Sequence, residues 1–109
     1  MAVHQLLIFT RPVAGLERDY HRWYERVHLA EVLSVPGFVA AGRYASADPS
    51  RFAALYTIES DDLDETMRIF DERRAHFAAP PSLDPSSVDI QLLRALGRGD
   101  RIPERAPFT

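Results

Sequence analysis

Apolar and polar positions along this chain change period several times, and each change marks an element. Val3 to Thr10 (Val-His-Gln-Leu-Leu-Ile-Phe-Thr) is short and rich in β-formers, which predicts a strand. Arg11-Pro12 closes it, because proline cannot continue a central ladder. From Leu16 to about Ser34 the period lengthens. Leu16, Tyr20, Trp23, Val27, Ala30 and Leu33 recur at three- and four-residue spacing, the apolar stripe of a helix. Glu17 and Asp19 suit its N-terminal dipole, and Pro36-Gly37 ends it. Phe38 to Ala45 and Phe52 to Glu59 read as two strands joined by the turn Ala47-Asp48-Pro49-Ser50, an antiparallel hairpin. Asp61 to about Ala78 reads as a second helix, capped by Ser60 or Asp61, with Leu63, Met67, Phe70 and Phe77 on its buried side. Pro80-Pro81 stops it, and Val88 to Leu96 predicts a last strand.

The order βαββαβ predicts a ferredoxin-like α+β fold, a four-stranded antiparallel sheet with two helices on one face. Residues 1–96 form one domain in this reading, and 97–109, rich in Gly, Pro and Arg, an irregular tail. The strands are apolar on both faces. Leu6 and Ile8 oppose Leu7 and Phe9; Ala54, Tyr56 and Ile58 oppose Ala53 and Leu55; Val88, Ile90 and Leu92 oppose Leu93 and Ala95. Two helices cover one face only. The other predicts a homodimer, sheet against sheet.

Composition narrows the function. The 109 residues suit one domain, and a net charge of −3 from scattered charges argues against nucleic acid as a partner. Without cysteine there is no disulfide scaffold, thiolate metal site or cysteine nucleophile. No apolar run approaches the roughly 20 residues that span a bilayer. No membrane role is expected, and the cytoplasm is the expected location. Phosphate loops, dinucleotide fingerprints and serine elbows are lacking, so no cofactor is expected.

The candidate chemistry lies on the first helix. Tyr24 and His28, four residues apart, share a helix face, and Glu31 follows His28 by three. A histidine between a phenol and a carboxylate can take and return a proton near neutral pH. The plain alternative is a solvated His–Glu ion pair. His21 and His28 are roughly 10.5 Å apart along the axis, too far to share one metal. His21 with Glu25, or Glu25 with His28, makes at most half a site, so no metal centre is expected. His4 lies on the Leu6 and Ile8 face, where it either lines a cavity or frays. His76, near the end of the second helix, is a C-terminal cation or a base at the pocket rim. Tyr44 and Tyr56 are strand phenols that serve as core β-formers or as donors to a substrate oxygen. Arg43, on the opposite strand face from Tyr44, binds an anionic group or forms an ion pair with a partner strand.

The run His21-Arg22-Trp23-Tyr24, His28, Glu31, Leu33, then Val35-Pro36-Gly37-Phe38, Arg43-Tyr44 and Ala54-Leu55-Tyr56-x-x-Glu59-Ser60 resembles the EthD-like branch of the dimeric α/β-barrel superfamily. That resemblance covers about the first 60 residues. It implies a ferredoxin-like protomer, a sheet-to-sheet dimer and a pocket between sheet and helices. The superfamily includes cofactor-free cyclases and dehydratases, lactone isomerases, cofactor-independent monooxygenases and haem-degrading enzymes. By position His28 inherits proton transfer, Tyr24 and Tyr44 stand beside it as donors, and Glu31 or Glu25 orients it. His4, Trp23, Tyr56 and His76 are expected around the substrate. The expectation is a cofactor-free enzyme of secondary metabolism acting on a small apolar or aromatic molecule by cyclisation, dehydration or isomerisation. The alternatives are a cofactor-independent monooxygenase and a non-catalytic binding or accessory protein. Haem binding through His28 or His76 is weaker, for no wider haem signature accompanies them.

Overall fold

A computed structural model describes residues 2–97 and 99. Strand β1 (Ala2–Thr10) leads to α1 (Glu17–Trp23), a π-helical turn (Tyr24–His28) and α2 (Leu29–Leu33), which together make one unbroken helix. Strands β2 (Phe38–Ala45) and β3 (Phe52–Ser60) form the hairpin, followed by α3 (Leu63–Arg74), a short 3-10 turn (Pro85–Ser87) and β4 (Asp89–Leu93). The sheet is antiparallel with order β2-β3-β1-β4, the expected ferredoxin-like α+β fold.

Alternation sorts the strands as expected. Leu6 and Ile8 pack with Ala54, Tyr56 and Ile58 on the helix side, against Tyr20, Tyr24, Val32 and Phe70. On the outer face Val3, Val39, Tyr44 and Leu93 are exposed, while Leu7, Phe9 and Leu55 are half-buried.

Local chemistry sets the boundaries. Gly37 sits at φ +95°, where an added Cβ would come within 3.2 Å of Thr66 Cγ2 and 3.3 Å of the Glu59 carbonyl. Only glycine turns the chain there without strain. Asp62, rather than the expected Ser60 or Asp61, caps α3 by accepting a hydrogen bond from the Glu65 N–H at 3.1 Å.

Three expectations need correction. The second helix stops at Arg74, short of Ala78. His76 and Phe77 donate to the carbonyls of Arg73 and Arg74, tightening the chain into a turn ahead of the prolines. The last strand ends at Leu93, not Leu96, and the Ala95 N–H is taken by His4 Nδ1 at 2.9 Å. The first helix buries Tyr20, Tyr24 and Val32, whereas Val27, Ala30 and Leu33 are exposed. Four-residue steps in an α-helix overshoot each turn by about 40°. The wider π turn, closed by the Leu29 N–H on the Tyr24 carbonyl, absorbs that drift. Tyr20, Tyr24, His28 and Val32 therefore stay on one side. The expected tail at 97–109 lies outside the described residues, Gly97 and Gly99 excepted.

Candidate functional site

The π turn gathers the site. Trp23 precedes it, and Tyr24 and His28 are its first and last residues. Their side chains open on a cleft of about 230 Å³ between the helices and the β1–β4 half of the sheet. Ile8 and Thr10 form its floor, Phe70 and Arg74 come from α3, and Phe77 to Ala79, Leu83, Val88 and Ile90 close the far side. The wall is mainly apolar, as a binding site for a flat organic molecule requires.

His28 is held from three sides. Its ring stacks on the Trp23 indole with centroids 4.3 Å apart and 19° between planes. Tyr24 and Phe77 meet it edge to face at 5.2 and 5.9 Å. His28 Nδ1 lies 3.2 Å from Glu31 Oε1. A carboxylate can only accept, so Nδ1 carries the proton and Nε2 keeps a lone pair. Burial lowers the pKa of His28 below its ordinary value, and the Glu31 hydrogen bond and charge oppose this only in part. The ring is neutral at pH 7, in the form that accepts a proton.

The phenols form a chain of hydroxyls. Thr10 Oγ1 bonds the hydroxyls of Tyr20 and, at 3.3 Å, Tyr24. Burial pushes Tyr24 up to about 12, and the Thr10 bond and the Arg43 cation oppose it. Tyr24 is thus a protonated donor throughout the physiological range. Arg43 lies beneath it, its guanidinium carbon 4.5 Å from the Tyr24 centroid and 5.7 Å from that of Tyr20. Arg43 also donates to His21 Nδ1 at 3.0 Å and to Glu25 Oε2 at 3.4 Å. His21 and Glu25 thus face a guanidinium. Among the described residues no three His, Asp or Glu side chains gather as a metal cage. The Trp23 indole N–H is buried with no hydrogen-bond partner.

The remaining candidates separate. Trp23, Tyr24 and His28 meet in the cleft, with Glu31 behind His28. Tyr44 does not join them: its backbone pairs with Ala53 on the outer face, and its side chain is 56% exposed there. Tyr56 is fully buried in the core, its hydroxyl unpartnered, and lines no cleft. His4 is tied to the end of β4. His76 lies on the surface after α3, and its neighbour Phe77 enters the cleft instead. Thr10 and Arg74 are cleft residues that the sequence reading passed over. Signals existed for both: Thr10 shares the alternation of Leu6 and Ile8, and Arg74 follows Phe70 by one helical turn.

The fold and cleft define a ferredoxin-like α+β protein. No protein-family model matches the chain, and neither does any curated protein. Solved structures do match in fold. A mutant of MhuD with two manganese protoporphyrin IX molecules bound per active site superposes with TM-score 0.64 at 15% identity, over 91% of this chain and 99% of that one. The monooxygenase from the gene ActVA-Orf6 of Streptomyces coelicolor, in complex with nanaomycin D, gives 0.58 at 21% identity, over 93% of each chain. Rv0793 from Mycobacterium tuberculosis gives 0.55 at 16% identity, over 91% of this chain and 100% of that one. Among the described residues no helix is long and apolar enough to cross a membrane.

Proposed function

We propose that this chain is an enzyme of small-molecule metabolism in which His28 removes a proton from a flat aromatic or polyketide-like substrate. One observation carries the reading: a neutral, half-buried imidazole, oriented by Glu31 and stacked on Trp23, opens on a mainly apolar cleft. His28 Nε2 takes a proton from an acidic C–H or phenolic O–H of the substrate. The electron pair passes to the conjugated carbonyl oxygen, and the Tyr24 hydroxyl is the donor at hand for it. General-base catalysis of this kind contributes about 10²- to 10⁴-fold. Glu31 stabilises the imidazolium that forms.

The carbanion has two fates. In cyclisation, dehydration or isomerisation, His28 returns the proton. In a cofactor-independent oxygenation, the carbanion reduces molecular oxygen. The ActVA-Orf6 monooxygenase, similar in fold and bound to nanaomycin D, supports the second fate. The cleft volume of about 230 Å³ favours a ligand of one to three fused rings over a porphyrin. The run from His21 to Tyr44 supports placement in the EthD-like branch. The apolar outer face supports a sheet-to-sheet homodimer, and the domain is read as 1–96 with 97–109 as an appended tail.

Oxygen uptake and product formation on a panel of aromatic polyketide-like ketones, compared for wild type and His28→Ala, test the proposal. Turnover by wild type and its loss in a folded mutant support it, and oxygen uptake distinguishes the two fates. Equal ligand binding by both, with no turnover, replaces it with a non-catalytic binding protein.

A further inference from the structure

The cleft carries an electrostatic asymmetry that proton transfer does not require. In a chain of net charge −3, no aspartate or glutamate lines it among the described residues, and its one formal charge is Arg74. His28 is neutral, and Glu31 stands behind it, outside the lining. The lining thus offers a ligand one cation and no carboxylate.

Arg74 is the last residue of α3, and its side chain is 46% exposed, which places it at the rim. Its neighbour Arg73 is committed elsewhere, donating to the Ser34 carbonyl at 2.9 Å. Arg74 pairs with Asp71 through Nε at 3.2 Å, an exposed pair of the weak kind. The plain reading is a cation suited to a helix C-terminus. That reading explains the charge but not its place on the wall of an otherwise apolar cleft.

We propose that Arg74 determines specificity by selecting substrates with a carboxylate at the edge of the aromatic system. The flat rings enter beside Trp23 and Phe77, and the carboxylate stays at the rim on the Nη groups of Arg74. A planar guanidinium matches a carboxylate better than an ammonium does. This inference rests on the cleft being the substrate site. It adds the substrate's charge and orientation.

The test uses the chain's single tryptophan, Trp23, as reporter, because a ligand in the cleft quenches its fluorescence. The probes are anthraquinone-2-carboxylate and anthraquinone-2-carboxamide, equal in shape and different in charge. Wild type binds the carboxylate about tenfold more tightly, the size of one charge-assisted contact at a half-exposed site. Arg74→Gln loses that preference and keeps its affinity for the carboxamide, while Arg74→Lys retains part of the preference. Equal affinity of wild type for both probes overturns the inference, as does an undiminished preference in Arg74→Gln; in both cases the cleft remains a binding site. If neither probe quenches Trp23 in wild type, the assignment of the cleft falls, and this inference with it.

Discussion

The rings of Trp23 and His28 stack nearly parallel at 4.3 Å, although the two lie five positions apart in the chain. In a regular α-helix such residues point about 140° apart. The π turn brings them onto the same side, since its backbone bonds also join residues five apart. The catalytic candidate thus owes its indole platform to a departure from helical regularity, and such departures concentrate at functional sites.

The protonation of His28 gives a signed prediction. As a base it works in the neutral form, so kcat/KM falls as pH drops through its pKa, which lies below the ordinary 6.5. The acid limb of the pH–rate profile is expected below that value. In Glu31→Gln the limb moves lower still, because the amide oxygen can still accept from Nδ1 but no longer carries the charge that favours the imidazolium. The same shift links to stability. Between the folded pKa and 6.5 the unfolded chain binds more protons, so stability falls as pH descends through that window. A pH–rate profile and an NMR titration of the ring check both statements.

Thr10 joins two buried phenols. In Thr10→Val both Tyr20 and Tyr24 lose a partner at nearly unchanged volume. The expected cost is about 1–3 kcal/mol in urea unfolding. A further rise in the Tyr24 pKa is also expected, since the Thr10 bond lowers it. Ultraviolet titration of the phenols reads the second effect.

Tyr44 tests the outer face. It is 56% exposed in the protomer, so Tyr44→Glu leaves the single chain within about 0.5 kcal/mol of wild type. If the sheets pair, a carboxylate there opposes association. Light scattering is expected to give twice the 12.4 kDa chain mass for wild type and a single chain for the variant. A monomeric wild type rules out the sheet-to-sheet dimer.

Phe70 serves the core and the cleft together. Its ring stacks on Phe38 at 5.2 Å and 18°, and it also lines the cleft wall. Phe70→Ala is expected to cost about 3–5 kcal/mol. Phe70→Leu costs less and chiefly weakens ligand binding, which Trp23 fluorescence reports.

The alternation of Leu6, Leu7, Ile8 and Phe9 was enough to place both sheet faces, because a strand period of two leaves no freedom of phase. The pairing of His28 with Glu31 was legible for the same kind of reason, a short spacing on a helix. The helix stripe was not. A period of 3.6 selects Trp23, Val27 and Ala30, and only a π turn makes Tyr20, Tyr24, His28 and Val32 coincide. No residue type announces that turn. Tyr44 was misplaced relative to the cleft for a different reason. The Arg43-Tyr44 pair splits across the sheet, and it is Arg43 that reaches Tyr24, a matter of register with β3. The apolar spacing predicts Phe77 on the helix, whereas the turn after Arg74 swings it into the site.

The π turn also changes what counts as an equivalent position. A chain with the same strands and an unbroken α-helix would be one residue shorter between Tyr20 and Val32. The two would differ there by a deletion rather than a substitution. Matched without a gap, one side of the turn or the other falls out of phase, and Val27 or Leu29 stands where His28 belongs. In proteins of this shape, the presence of the histidine is thus a question of helix length before it is one of residue identity.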